Sequence, residues 1–250
     1  FEEKNITTIK NKYINFILNY LFRFHNKFVF QSKVQGIIEF KNYRNTKKLN
    51  WIKCDKSILK AELKNNLGMD KDSWFVCFFS RDSLYDIQNR SSLAEIASIR
   101  NSDINTYSKS MKFIADQGGY AIRIGSTQRR KINFEYDRVI DYSFSDIKNP
   151  KNDFLLSFFA NFIIGSSSGI VDISSLNDVP VGLVNCPFYR FQQARKRVSF
   201  IPKIIMNSKN EVLKRSTYLE KMGEYDDQKD INSIFTRYNW RHLDNDENDI

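Results

Sequence analysis

Short apolar runs alternate with segments of helical spacing through the centre of the chain. Trp74–Phe79 is a continuous apolar run, which is typical of a strand buried on both faces of a sheet. Further strands are predicted at 120–124, 139–142, 162–164 and 181–184, and helices at 103–117, 153–160 and 168–176. Strands that alternate with helices at this spacing predict an α/β fold, in which helices flank a Rossmann-like, mostly parallel sheet.

The segments on either side of this core are patterned differently. Residues 8–24 place their apolar side chains on one stripe of a predicted amphipathic helix, flanked by lysine and arginine. Such a helix packs against its own domain or lies on a membrane surface. Another helix is predicted over Lys56–Leu67, ending at Gly68 as a C-cap. We therefore divide the chain into a basic N-terminal extension at 1–65, a Rossmann-like domain at 66–215 and a helical, acidic tail at 216–250.

The net charge of +10 is unevenly distributed along the chain. Residues 1–64 carry 14 Lys and Arg against 5 Asp and Glu, and residues 186–215 carry 8 against 1. Basic flanks beside a nearly neutral core suit a nucleotide, a membrane surface or nucleic acid, or they form a solvated, lysine-rich surface. Because the basic residues are not interleaved with a nucleic-acid-binding motif, we do not expect nucleic acid to be the partner.

Cysteine and histidine usage argues against metal chemistry. Cys54, Cys77 and Cys186 are far apart and show no metal-ligand spacing, which predicts reduced thiols in the cytosol. The only histidines, His25 and His242, lie beside none of the motifs described below, so zinc chemistry and a Ser-His-Asp triad are poorly supplied. We expect no bound metal and no organic cofactor. The chain also lacks a signal-peptide pattern and an apolar run long enough to span a bilayer, which favours a cytoplasmic location.

Polar residues follow the predicted strands, at the edge where open parallel sheets bind their ligands. These are Ser80-Arg81-Asp82, Gly125-Ser126-Thr127, Asp141-Tyr142-Ser143, Gly165–Gly169 and Asn185-Cys186-Pro187. Because Arg81 follows a wholly buried strand, its guanidinium is expected at the crevice. There it grips a diphosphate through two parallel hydrogen bonds or pairs with a neighbouring carboxylate. Arg123 lies inside the second strand and needs a partner, for which Asp141 and Asp103 are the candidates.

The turn Gly165-Ser166-Ser167-Ser168-Gly169 is the most distinctive local motif. Gly165 lets the chain turn tightly off the fourth strand, and the three serines offer hydroxyl and N–H groups. The predicted helix begins there, so its dipole and its free N–H groups attract a phosphate. The turn is not a P-loop, because no Gly-Lys-Ser/Thr follows. The alternative is a serine N-cap in a short connection.

Taken in order, these motifs resemble a bacterial family of proposed glycosyltransferases linked to surface-polysaccharide synthesis. The resemblance extends over residues 60–250 and runs through Trp74–Cys77, Arg81–Ser83, Arg100–Ile104 with Tyr107, Gly118–Gly125, Val139–Tyr142, Phe162–Gly169, Val179–Val181 and Ser199–Lys203. The ordered series is far more specific than any one of its members.

The arrangement is also distantly similar to fucosyltransferase-type GT-B enzymes. This similarity implies that Arg81 and Ser166–Ser168 bind the donor's diphosphate without a metal, and that Asp141 and Tyr142 line the base or ribose pocket. The family pattern has His-Val before the arginine, whereas this chain has Phe79-Ser80, so no role of that histidine carries over.

The resemblance implies the donor-binding half of a glycosyltransferase that moves a sugar from a nucleotide sugar to a surface-glycan or lipid-linked acceptor. Residues 1–65 are then a remnant of the acceptor domain, or an extension that contacts the inner membrane peripherally. Arg81 would stabilise the departing diphosphate, and Asp82, with Asp86 one of the nearest carboxylates, is the candidate base. The alternatives are another sugar-modifying transferase, such as a pyruvyl transferase, and a non-catalytic domain that binds nucleotides or nucleic acid.

Overall fold

The computed structural model describes residues 55–89, 98–125, 130–187, 197–222 and 228–250. All of them belong to the compact unit that spans Thr46–Ile250. The helix predicted at 8–24 and nearly all of the basic extension lie outside the described residues, so those predictions stay predictions.

Helices and strands alternate through most of the described chain, as the sequence pattern predicts. The helices are α1 (Lys56–Asn66), α2 (Leu84–Asn89), α3 (Ser108–Asp116), α4 (Pro150–Phe159), α5 (Gly169–Leu176), α6 (Arg215–Met222) and α7 (Gln228–Tyr238). The strands are β1 (Phe75–Phe79), β2 (Tyr120–Arg123), β3 (Val139–Asp141), β4 (Phe162–Gly165), β5 (Val181–Cys186), β6 (Val198–Pro202), β7 (Ile204–Met206) and β8 (Arg241–Leu243). Short 3₁₀ turns lie at Ser98–Arg100, Ile104–Tyr107 and Tyr142–Phe144.

Strands β1 to β6 form one sheet in the order β3-β2-β1-β4-β5-β6, and every pair in it is parallel. The predicted α/β fold with a mostly parallel sheet is therefore confirmed. The chain runs from β1 towards one edge of the sheet and returns to build the other half from β4. The strand order thus reverses between β1 and β4, and the crevice beyond their carboxyl ends is where such sheets bind ligands.

The central strand β1 is buried on both of its faces, which explains its continuous apolar run. Phe75, Cys77 and Phe79 point to the core that α1, α4 and α5 cover, whereas Val76 and Phe78 point to the core under α3. All five side chains are at most 8% exposed. Helices on both faces leave the carboxyl edge of the sheet as the place for polar loops.

The capping chemistry corrects several predicted boundaries. The helix predicted at 103–117 is a 3₁₀ turn followed by α3. Helix α4 begins at Pro150 rather than Asp153, because the Asn149 side chain accepts the Asn152 N–H at 2.9 Å and proline suits the first helical position. The end predicted for α1 is confirmed, since Gly68 has a φ of +66° and its N–H donates to the Asn65 carbonyl.

Residues 204–250 add a small core of their own beside the sheet. Strands β7 and β8 pair antiparallel, and α6 and α7 pack with them around the side chains Ile205, Tyr218, Met222, Ile231, Ile234 and Phe235. The region predicted as a helical tail thus contains α6, α7 and also β8. Beyond β8 the chain returns to the sheet, where the main-chain N–H groups of Asn245 and Asn185 each donate to the other's side-chain oxygen, at 2.6 and 2.9 Å.

Gly165 ends β4 where β1 approaches it most closely. A Cβ at this position would stand 2.5 Å from the Phe79 carbonyl oxygen, which is main chain and cannot move aside independently. Gly169, four residues on, has nothing within 4 Å of its Cβ position. The two glycines of the turn therefore have different roles. At Gly165 close packing excludes a side chain, whereas at Gly169 there is room for one.

Replacing each glycine by alanine tests this difference. Gly165→Ala should lower the free energy of unfolding by about 1–3 kcal/mol, as overpacking does, because β1 and β4 must separate. Gly169→Ala is the matched control and should change it by less than about 0.5 kcal/mol. Urea unfolding followed by circular dichroism measures both. Equal losses in the two variants would contradict the packing argument.

His242 gives the C-terminal region a pH dependence. Its ring stacks on Phe235, with centroids 4.3 Å apart, and burial together with nearby Lys203 lowers its pKa to about 3. Below about pH 6.5 the His242 ring therefore binds a proton in the unfolded chain but remains neutral in the folded chain. The free energy of unfolding should fall as the pH decreases from 6.5 towards 5, with a slope approaching ~1.4 kcal/mol per pH unit. His242→Phe keeps a stacked ring and should flatten this slope in the same urea titrations. An unchanged slope would contradict the prediction.

Candidate functional site

The main chain of Arg81 joins two loops at the carboxyl edge of the sheet. Its N–H donates to the Ser166 hydroxyl at 2.8 Å, and its carbonyl accepts the Ser102 N–H at 2.9 Å. Ser166 is fully buried, and its own N–H donates to the Phe79 carbonyl at 3.0 Å. The structure therefore brings Arg81 and the serine turn together beside the switch point between β1 and β4. The connection between them is the hydrogen bond that the Ser166 hydroxyl accepts from the Arg81 N–H.

The rest of the serine turn opens α5. Ser168 is the N-cap residue, but its side chain makes no capping hydrogen bond to this helix. Its hydroxyl has no hydrogen-bond partner among the described residues. The N-terminus of the helix therefore faces the turn without a cap from the Ser168 side chain, and its dipole suits an anion. Asp172 lies in the same first turn, where the dipole also favours negative charge.

A polar cavity of about 290 Å³ adjoins the Arg81 loop. It is lined by Ser80, Asp82 and Ser83 after β1, by residues 101–104, by Arg123 and Arg130, and by Asp244 from the chain beyond β8. Asp82, the candidate base, lies on this wall, and its carboxylate also accepts the Leu84 N–H at 2.9 Å at the start of α2. Its catalytic role stays a prediction.

Arg123 is the most deeply buried charge at this edge, being 1% exposed. Its guanidinium donates to the Asp141 carboxylate at 3.2 Å and to the Arg130 carbonyl at 2.5 Å. Burial lowers the pKa of Arg123, and the Asp141 charge opposes that effect. Of the two partners expected from the sequence, Asp141 is therefore the one that Arg123 uses. Asp103 pairs instead with Arg130 at 2.6 Å.

Asp141 and Tyr142 have contacts that hold the fold around β3. The Asp141 carboxylate accepts the Ile132 N–H at 2.9 Å in addition to its bonds from Arg123. Tyr142 is fully buried in the core, where its hydroxyl donates to the Asn149 carbonyl and accepts the Asn149 N–H. Burial raises the pKa of Tyr142 to about 12. Their assignment to a base or ribose pocket stays a prediction.

Lys203 fixes the far wall of the cavity. It is 4% exposed, and its ammonium donates to the Asn101 carbonyl and to the Asp244 carboxylate, both at 2.6 Å. The loop at 101–104 and the chain beyond β8 are thereby held against each other. Neither Lys203 nor Asp244 was expected here from the sequence, since both contacts join residues far apart in the chain.

Two further properties bear on the chemistry. Within the part of the chain that the structure describes, no group of three or more His, Cys, Asp or Glu side chains is arranged to hold a metal ion. In the same residues, no helix combines the length and the apolar character that crossing a bilayer requires.

Comparison with known proteins finds distant similarity to solved structures. No protein-family profile matches the chain, and no curated protein matches it. The solved structure of E. coli ADP-heptose lps heptosyltransferase II is similar at 10% identity over 71% of this chain and 51% of that one, with a TM-score of 0.44. The glycosyl transferase family 9 structure from Veillonella parvula DSM 2008 is similar at 9% identity over 74% and 52%, with a TM-score of 0.43. The chain thus spans about half the length of these two proteins.

The contribution of the Arg123–Asp141 ion pair to the free energy of unfolding can be tested. Asp141→Asn leaves a buried guanidinium without its counter-charge and should lower the free energy of unfolding by about 3 kcal/mol. Asp137→Asn is the control, because the Asp137 side chain is 94% exposed and its change should be within about 0.5 kcal/mol. Denaturant titration of both variants measures the difference. Equal stability of the two would show that the buried pair contributes little.

Proposed function

We propose that the sheet edge at the switch point binds the nucleoside diphosphate of a sugar donor, and that the protein is a glycosyltransferase. The observation that supports this most directly is the hydrogen bond from the Arg81 N–H to the Ser166 hydroxyl. It joins the residue with the permanent charge to the turn that opens α5. A guanidinium and a helix N-terminus at one edge of the sheet suit the two phosphates of one diphosphate.

The same groups suit the chemistry of sugar transfer. When the glycosidic bond to the diphosphate breaks, negative charge grows on the leaving phosphate oxygen. A guanidinium and a helix dipole stabilise that charge electrostatically, so a metal ion is not required. Within this proposal Arg81 holds the leaving group, and Ser167, Ser168 and Gly169 offer hydroxyl and N–H donors. Ser166 acts indirectly, by fixing the loop that carries Arg81.

The remaining parts of the proposal rest on the sequence. Asp82 lies on the wall of the adjoining cavity and is the candidate base for the acceptor hydroxyl. The acceptor is proposed to be a surface glycan or a lipid-linked sugar, and the protein to act in the cytoplasm, with residues 8–24 contacting the inner membrane peripherally. Asp141 and Tyr142 are the proposed neighbours of the base or ribose.

Calorimetric titration with GDP, UDP, CDP and CMP tests the donor site. One of these nucleotides should bind the wild type in preference to the others. Arg81→Ala should weaken that binding by at least about tenfold, since a charge-assisted bidentate contact is lost.

Arg138→Ala is the matched control, because Arg138 pairs with Asp70 at the amino-terminal edge of the sheet, and it should bind like the wild type. A folded wild-type protein that binds none of the four nucleotides would contradict the proposal. Equal loss in both variants would also contradict it.

A further inference from the structure

The cavity beside Arg81 is large enough to hold a sugar ring. Its volume of about 290 Å³ lies at the lower end of the range for small-molecule sites, which begins at about 300 Å³. The cavity is open to solvent on one side, so a sugar ring can lie inside it while the rest of a larger ligand lies outside. The question is therefore which part of a ligand the walls suit.

The charged side chains in and behind the walls of the cavity form three ion pairs. Arg130 bonds Asp103 at 2.6 Å, Arg123 bonds Asp141 at 3.2 Å, and Lys203 bonds Asp244 at 2.6 Å. These are three cations and three carboxylates, and Asp82 adds a fourth carboxylate to the wall. With Arg81, which lies between Ser80 and Asp82 in the same loop, the balance is four positive charges against four negative ones, so the cavity has no excess of positive charge that would favour a phosphate group. The phosphates of a donor therefore belong at α5, outside this cavity.

The groups that reach the cavity suit a ring that carries many hydroxyls. Ser80, Ser83 and Ser102 bring hydroxyls and Asn101 an amide, groups that both donate and accept hydrogen bonds, and the Asp and Arg side chains add charged acceptors and donors. A sugar hydroxyl is itself both donor and acceptor. Ile104 is the one apolar side chain among the described residues that line the cavity.

The cavity and the proposed diphosphate site are connected through the loop that carries Arg81. Ser80 and Asp82 line it, and Arg81 between them is bonded through its main chain to Ser166 on one side and to Ser102 on the other. A single loop therefore borders both the cavity and the turn that opens α5.

We infer that this cavity holds the sugar ring of the nucleotide-sugar donor, and that the Asp103–Arg130 pair recognises its hydroxyl groups. Asp103 and Arg130 are then specificity-determining residues that act on the sugar and not on the nucleotide. The inference rests on the proposed function, since it takes the sugar from the donor.

A titration that compares each nucleoside diphosphate with its nucleotide sugars tests the inference. Asp103→Asn is suitable because asparagine retains the oxygen that accepts the Asn105 N–H at 3.0 Å, so the turn stays capped. Arg130→Gln is suitable because its side chain is 72% exposed and its loss should not unfold the chain. Each variant should weaken nucleotide-sugar binding by about tenfold or more and leave nucleoside-diphosphate binding within about twofold.

Arg138→Gln, at the opposite edge of the sheet, is the control for the loss of an arginine and should bind both ligands like the wild type. If Asp103→Asn weakens the nucleoside diphosphate and the nucleotide sugar equally, the cavity holds the nucleotide and the inference is wrong. If it weakens neither, the cavity holds no part of the donor, and the inference is equally wrong.

A second measurement separates this inference from the proposed function. Saturation-transfer NMR with the methyl glycosides of glucose, galactose, mannose and N-acetylglucosamine requires no nucleotide. At least one glycoside should give a signal with the wild type and with Arg81→Ala, and a weaker one with Asp103→Asn. Such a result without nucleotide binding would contradict the proposed donor site but support a sugar site. Glycoside binding together with nucleotide sugars that bind no tighter than their diphosphates would identify an acceptor ring and overturn the donor assignment.

Discussion

The close approach of β1 and β4 is the constraint on which the rest of the site depends. Phe79 lies beside Gly165 in the parallel register, and a side chain at Gly165 would collide with the Phe79 carbonyl. Ser166 continues the connection beyond the last pair of strand residues, because its N–H bonds Phe79 and its hydroxyl bonds the N–H of Arg81. One serine thus sets the distance between the loop that carries the arginine and the helix that presents its N-terminus.

A second constraint is that this polar edge is built on buried charges. Arg123 and Lys203 are both almost fully buried, and each bonds a carboxylate and a main-chain carbonyl. Buried ions persist when their hydrogen bonds are satisfied, and they then hold their neighbours in one arrangement. The walls of the cavity are therefore fixed by ionic contacts beneath them, whereas the apolar cores fix the sheet itself.

The sequence predicts the sheet well where burial is complete and less well at its edges. β1 could be predicted as a strand because it is apolar throughout. The neighbouring strands could be predicted because apolar runs alternate with segments of helical spacing. β6 was not predicted, since Val198–Pro202 is half-buried at the edge of the sheet and its mixed pattern looks like a loop. The 3₁₀ turn at Ile104–Tyr107 was merged with α3 because both show nearly the same spacing of apolar residues.

The candidate site could likewise be predicted from the sequence only in part. Arg81 and the serine turn could be predicted together, because the carboxyl ends of parallel strands share one edge. Arg123 could be recognised as a charge in need of a partner. Lys203 and Asp244 could not be predicted, since their contacts depend on how distant segments fold together. The bond from Lys203 to Asn101 joins residues 102 positions apart, and no local pattern encodes it.

The wall contributed by Asp244 has a consequence for the order in which the protein is made. All six strands of the parallel sheet precede β8 in the chain, so the sheet has every strand that it needs before residue 244 leaves the ribosome. Synthesis proceeds at roughly 5–20 residues per second, so Asp244 is added seconds after the last strand of the sheet. The cavity therefore stays open on one side in the nascent chain. It acquires its final shape only when β8 pairs with β7 and brings Asp244 to Lys203.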